Sequence, residues 1–354
     1  MDFMKILKNV MLRGNITDIT VDGGKIISLE KTDKPGVDFK GNKIYPGLID
    51  IHIHGCIGYD TMEGGLAEMS DWLLENGTTA WYPTTMSMSE ADIVKATSQN
   101  IDVGHGASIL GFHMEGPFIN KKYKGAMNEK YIIAPSKELL AKCKNVKRIT
   151  LAPEIEGSSE FIKDCALQVS IGHTDTDYET AKGAFRAGAT SITHTYNVMP
   201  GIHHRAPGPI GAGFDTDGVF AELISDGVHI HPSAVRMLVK MYGADRVILV
   251  SDSMRAAGLS DGEYEFGGQT MTVKNSVALT ENGNLAGSTA TLFYCVKQAI
   301  SFGIKEEDAV KMATENPARL MKLNKGKIEV GYDADFIIVD KDFNLVKAIA
   351  RGEF

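Results

Sequence analysis

Eight short apolar, β-branched runs recur through the middle of the chain, at 48–53, 78–82, 108–114, 147–152, 167–172, 190–194, 219–224 and 246–251. Most are separated by a stretch with helical spacing, and that alternation is the strongest constraint on the fold. Short continuous apolar runs read as strands buried on both faces, as parallel strands covered by helices are. The helical stretches are 66–75, 89–98, 136–141, 177–187 and 233–242, the last preceded by Pro232, which a first helical turn tolerates. Further helical pattern covers 289–302 and 306–320. Eight strands alternating with helices fit an α/β fold of the (β/α)8, TIM-like barrel type, and also a doubly wound open sheet. The residues at the strand ends decide between them.

The two ends of the chain have a different texture. Runs at 6–12, 16–21 and 25–29 are separated by Gly14-Asn15 and Gly23-Gly24, and the tail repeats the pattern at 327–331, 335–340 and 344–349. Alternating strands with turn residues between them predict an antiparallel sheet. Two β-rich ends around a different middle predict one small β-sandwich domain from 1–46 and 325–354, flanking a barrel catalytic domain over 47–324. At 354 residues the chain is long enough for both.

Composition narrows the partners. Hydrophobic content of 43% and charged content of 23% are those of an ordinary globular protein, and a net charge of -8 argues against nucleic-acid or membrane partners. Residues 1–6 lack a basic segment leading into a long apolar run, and no stretch nears 18 uninterrupted apolar residues, so a cytoplasmic location is expected. Cys56, Cys143, Cys165 and Cys295 form no Cys-x-x-Cys pair, which argues against a disulfide framework or a thiolate zinc site. Cys56, two residues after His54, reads as a packing residue rather than a ligand.

Chemistry-bearing side chains gather where the predicted strands end. In Asp50-Ile51-His52-Ile53-His54, the period of 2 sends both imidazoles to one side of the strand, just before Gly55. The third strand closes on His113-Met114-Glu115, the fifth on His173, the sixth on His194, the seventh on Asp226 and His229, and the eighth on Asp252. A single such residue is more often a cap or a hydrogen-bonded core histidine. Six strands agreeing point to a metal-assisted hydrolase whose site lies at the C-terminal mouth of a barrel. Mixed imidazole and carboxylate donors suit Zn, Fe, Co or Mn, one or two divalent ions per subunit. Phosphate-loop, dinucleotide and Gly-x-Ser-x-Gly motifs are absent from the sequence.

The His-x-His after Pro46-Gly47-Leu48-Ile49-Asp50, the later histidines and Asp252 resemble the amidohydrolase superfamily. Within it, His113 to Asn120, His194 to Pro200, Arg205 with Pro207-Gly208, and Leu285 to Ser288 resemble the N-acetylglucosamine-6-phosphate deacetylases. The tail from Gly326 to Phe336 matches the superfamily's return to its β-sandwich. The resemblance implies hydrolysis of the acetamide of N-acetylglucosamine 6-phosphate, a step of amino-sugar catabolism. It implies one metal site from Glu115, His173 and His194, and a second from His52, His54, Glu115 and Asp252, with Asp252 also the catalytic acid and base. Ala152-Pro153-Glu154 stands where many two-metal relatives carry a bridging modified lysine, which leaves the bridging to Glu115. Substrate contacts are implied for Ala126, Met127, Asn197, Val198, Arg205, His229, Leu285, Ala286 and Gly287. A homodimer is implied too, with Arg205 reaching the neighbouring site.

One position departs from the family. Met127 stands where relatives commonly place a histidine that contacts the sugar, and a thioether cannot donate that hydrogen bond. The alternatives are therefore N-acetylgalactosamine 6-phosphate, or another amide, as substrate. A metal-stabilised scaffold without activity is a third reading, and it gives Asp252 nothing to do.

Overall fold

The terminal strands and the eight-fold alternation meet in one structure. The computed structural model describes residues 4–353; Met1, Asp2, Phe3 and Phe354 lie outside the described residues. Strands Lys5–Leu12, Asn15–Asp22, Lys25–Ser28 and Lys43–Pro46 join Phe336–Val339 and Leu345–Ile349, with the short Val37–Asp38, in one seven-stranded sheet. The two ends of the chain are stitched antiparallel, Phe336 opposite Pro46 and Val339 opposite Lys43. Alternation then divides the apolar residues: Phe336 and Ile338 pack with Leu7, Ile19 and Ile44, whereas Ile337 and Val339 join the main core.

The barrel strands are β1 (Leu48–Ile53), β2 (Thr78–Thr85), β3 (Phe112–Glu115), β4 (Val146–Leu151), β5 (Gln168–Ile171), β6 (Ser191–Ile192), β7 (Phe220–Leu223) and β8 (Val247–Leu249). Each is parallel to the next. The ring is drawn together by the Asp252 N–H donating to the His52 carbonyl at 2.9 Å, and the His54 N–H to the Ser253 carbonyl at 2.9 Å. The open sheet is thereby excluded. No helix among the described residues is long and apolar enough to cross a membrane.

Helix starts follow side-chain caps. Ser89, Ser136 and Asp177 each accept a backbone N–H three residues on, so the helices begin one residue later, at Glu90, Lys137 and Tyr178. Several sequence expectations need correction. The run 108–114 divides into Ser108–Ile109 and Phe112–Glu115 around Gly111, whose φ of 128° no strand residue adopts. The stretch 306–320 is two helices, Glu306–Ala313 and Glu315–Leu320; Pro317 removes a donor and its ring opposes the Ala313 carbonyl, so the chain breaks at Thr314. Residues 327–331 are irregular and end in a turn rather than forming a strand, with Ile328 buried against the terminal sheet. The antiparallel strands Gly262–Phe266, Gln269–Lys274 and Val277–Thr280 were not anticipated, although the Gly267-Gly268 turn between alternating residues signals them.

The barrel interior is unusually polar. His113, Glu115, Arg148, Thr150, Ser170, Ser191, Thr193 and Glu222 are all buried. Hydroxyls run across the strands, with His113 Nε2 at 2.7 Å from Thr150 Oγ1, Thr150 Oγ1 at 2.8 Å from Thr193 Oγ1, and Thr193 donating to Ser170 Oγ at 2.6 Å. These cross-strand bonds tie the interior together directly beneath the site.

Candidate active site

Glu115, the last residue of β3, is the hub. Its Oε1 lies 3.2 Å from His52 Nε2, 3.2 Å from His173 Nε2 and 3.1 Å from His194 Nε2, and its Oε2 lies 3.2 Å from His54 Nε2. Asp252 Oδ1 approaches His54 Nε2 at 3.3 Å and His52 Nε2 at 3.5 Å. Two clusters result, Glu115 with His173 and His194, and His52 with His54 and Asp252, each with ligand atoms within 4.8 Å of one another. His173, His194 and Asp252 have φ of 47°, 28° and 49°. Left-handed residues that are not glycine end a strand abruptly, and they gather at functional sites.

The donor set fits a divalent cation. His54 Nδ1 is held by the Thr84 carbonyl at 3.1 Å and His173 Nδ1 by the Tyr123 carbonyl at 2.9 Å. Those bonds place a proton on each Nδ1 and aim Nε2 at carboxylate oxygens, where its lone pair is available to a metal ion once the ring is neutral. His173 and His194 even face each other, Nε2 to Nε2, at 3.1 Å, and the buried His52 Nε2 has no hydrogen-bond partner. Lone pairs converging on carboxylates need positive charge between them, which a metal ion provides.

The protein's own field says the same. Burial alone would raise the Glu115 carboxyl, but His52 and His173 outweigh it and hold the group well below the usual carboxylate range. Burial opposes ionisation of Asp252 as well, and His52 and His54 again hold it low. His54 is pushed up to about 9: burial disfavours its charge, but Asp252 and Glu115 prevail. His113 goes the other way, kept neutral by burial and Arg148. It is a strut of the interior.

The amidohydrolase family model matches residues 44–354. The chain belongs to the amidohydrolase family. Within that family it is 37% identical to an N-acetylglucosamine-6-phosphate deacetylase of Bacillus subtilis (strain 168), over 94% of this chain and 91% of that one. An N-acetylgalactosamine-6-phosphate deacetylase of Escherichia coli O157:H7 is 30% identical over 95% of this chain and 93% of the relative. The crystal structure of N-acetylglucosamine-6-phosphate deacetylase from Thermotoga maritima superimposes with a TM-score of 0.91 at 34% identity, covering 98% of each chain.

Beside the amidohydrolase centre lies a cavity of about 540 Å³. Ala126, Met127, Asn197, Val198, His229, Leu285 and Gly287 line it, together with His54, Glu115, His173, His194 and Asp252. His229 is oriented by Asp226, Nδ1 to Oδ2 at 2.7 Å; burial disfavours its charge, but Asp226 raises its pKa. Two expected residues lie elsewhere. Ala286 is buried among Met86, Met127 and Met254, and Arg205 projects from an exposed turn closed by a His203 to Ala206 bridge. Cys56 is buried in the main apolar core, as expected of a packing residue.

Sequence reasoning missed Lys122 and Lys124 on the cavity wall, although the basic run Lys121-Lys122-Tyr123-Lys124 before Gly125 signals them. It also missed Phe266, which stacks edge-on against His54 at 5.3 Å, because the sheet carrying it was not foreseen. Gly125 has φ of 57°, and a Cβ there would meet Val198 Cγ1 at 3.1 Å and His173 Cε1 at 3.5 Å. Gly125→Ala is expected to press on the His173 ring and cut kcat/KM about tenfold with the fold retained; unchanged steady-state kinetics would show that the approach is not needed.

Proposed function

We propose that this chain is a metal-dependent deacetylase that hydrolyses the acetamide of N-acetylglucosamine 6-phosphate to glucosamine 6-phosphate and acetate. The observation that carries this is the convergence of four imidazoles on Glu115, two of them also facing Asp252, at the wall of a sugar-sized cavity. Near-full-length likeness to a chain named for this activity supports the substrate. The lower identity to the galactosamine relative, 30% against 37%, favours the glucosamine epimer.

Glu115, His173 and His194 would hold one divalent ion, and His52, His54 and Asp252, sharing Glu115, a second. A bound ion supplies Lewis acidity and a water acidic enough to be deprotonated near neutral pH. Zn, Fe, Co and Mn all suit the donors. Asp252, ionised at that pH, takes the proton of the attacking water and delivers it to the amine as the C–N bond breaks. His229, held by Asp226, which favours its protonated form, faces the substrate and can donate a hydrogen bond to it. Leu285 and Gly287, with Phe266, close the cavity around the sugar and exclude water.

The phosphate needs positive charge on an acidic protein. Lys122 and Lys124 supply it at the cavity, partly shared with Asp175 at 2.7 Å and Glu129 at 3.6 Å. Arg205 supplies the rest in a homodimer, reaching the neighbouring subunit's cavity from its exposed loop, and the enzyme works in the cytoplasm. Arg205→Ala is expected to raise KM for the phosphorylated substrate about tenfold or more and leave kcat within about threefold. Equal kinetics in the variant would remove Arg205 from the phosphate site.

A further inference from the structure

His52 joins the polar barrel interior to the site. Its Nε2 faces Glu115 and Asp252, and its other ring nitrogen, Nδ1, lies 3.4 Å from Glu222 Oε2. Glu222 is in the middle of β7, a buried carboxylate in an otherwise apolar strand. Its second oxygen is ion-paired with the buried guanidinium of Arg148. Arg148 also donates to the Ile51 carbonyl, next to His52, at 3.3 Å, and to Ser191 Oγ at 3.4 Å. Of the imidazoles around Glu115, His54 and His173 give Nδ1 to backbone carbonyls, and His194 Nδ1 has no partner. His52 is the one whose Nδ1 faces a carboxylate.

We propose that Glu222, anchored by Arg148, is a positioning residue for the ion held by His52, His54 and Asp252. By accepting a hydrogen bond from Nδ1–H it fixes the ring's tautomer and rotation, aims the Nε2 lone pair at the cluster and strengthens that nitrogen as a ligand. Arg148 is what lets a carboxylate stay charged there, since an unpaired charge in this interior would be prohibitively costly. The inference rests on the two-ion reading above. Fold stability alone does not require the pair, because a buried ion pair can often be exchanged for apolar residues of similar volume without loss.

The test is titration of chelator-stripped protein with Co2+ alone, read as bound ions per subunit and as visible absorption, beside thermal unfolding. The wild type should take two ions. Arg148→Met with Glu222→Leu leaves no orphaned charge; it should melt within a few degrees of wild type and bind the second ion about 10–100-fold more weakly, the first being unaffected. Glu222→Gln alone keeps a neutral acceptor and should fall between, which provides the answer if the double variant fails to fold. Wild-type affinity for the second ion in either folded variant would overturn the inference, as would equal loss of both ions. A wild type that takes a single ion would instead overturn the two-ion reading, before any variant is made.

Discussion

Asp252→Asn is expected to lower turnover by about a thousandfold or more, with the fold intact. The substitution is well matched to the backbone: Asp252 sits at φ of 49°, a conformation that Asn tolerates better than most residues. Its main-chain bonds, N–H to the His52 carbonyl at 2.9 Å and carbonyl from the Ser288 N–H at 2.8 Å, are untouched. What disappears is the carboxylate that takes the water's proton and returns it to the amine. Because Asp252 Oδ1 is also near His52 and His54 Nε2, the ion in that cluster should weaken, while the ion of Glu115, His173 and His194 stays. Acetate release together with metal content per subunit checks this. Turnover within tenfold of wild type would mean that another group moves the proton.

Glu115→Gln should be as damaging for a different reason. Glu115 Oε1 is within 3.2 Å of three imidazole nitrogens, and Oε2 is 3.2 Å from a fourth. The amide keeps the volume but removes the negative charge common to both clusters, and one of its ends would present N–H groups where lone pairs converge. Metal content measured by elemental analysis should fall close to zero after dialysis, and turnover with it, by about a thousandfold or more. Retention of both ions would show that the histidines and Asp252 hold them unaided.

Much of this was legible in the sequence, for identifiable reasons. The period of 2 put His52 and His54 on one side of their strand, and the strand ends gathered Glu115, His173, His194 and Asp252. What was illegible depends on the third dimension. Arg148 stands near the start of β4 and Glu222 in the middle of β7, 74 positions apart, and nothing local says that they pair inside the barrel beneath His52. Arg205 was expected at the phosphate, yet it lies outside its own subunit's cavity while Lys122 and Lys124 line it. Strand ends were misjudged where β-branched runs continue into left-handed residues: 190–194 contains only Ser191–Ile192 as strand because His194 has φ of 28°. Sequence propensity favours extension there, and the site's geometry prevails over it.

The cluster around Glu115 is expected to deacetylate an amino-sugar phosphate. Acetate release by the purified, metal-loaded protein should be measured with N-acetylglucosamine 6-phosphate, N-acetylgalactosamine 6-phosphate and unphosphorylated N-acetylglucosamine. Stoichiometric acetate and free amine are expected from the first, slower release from the second and little from the third. No acetate from any of them, with both ions bound, would contradict it.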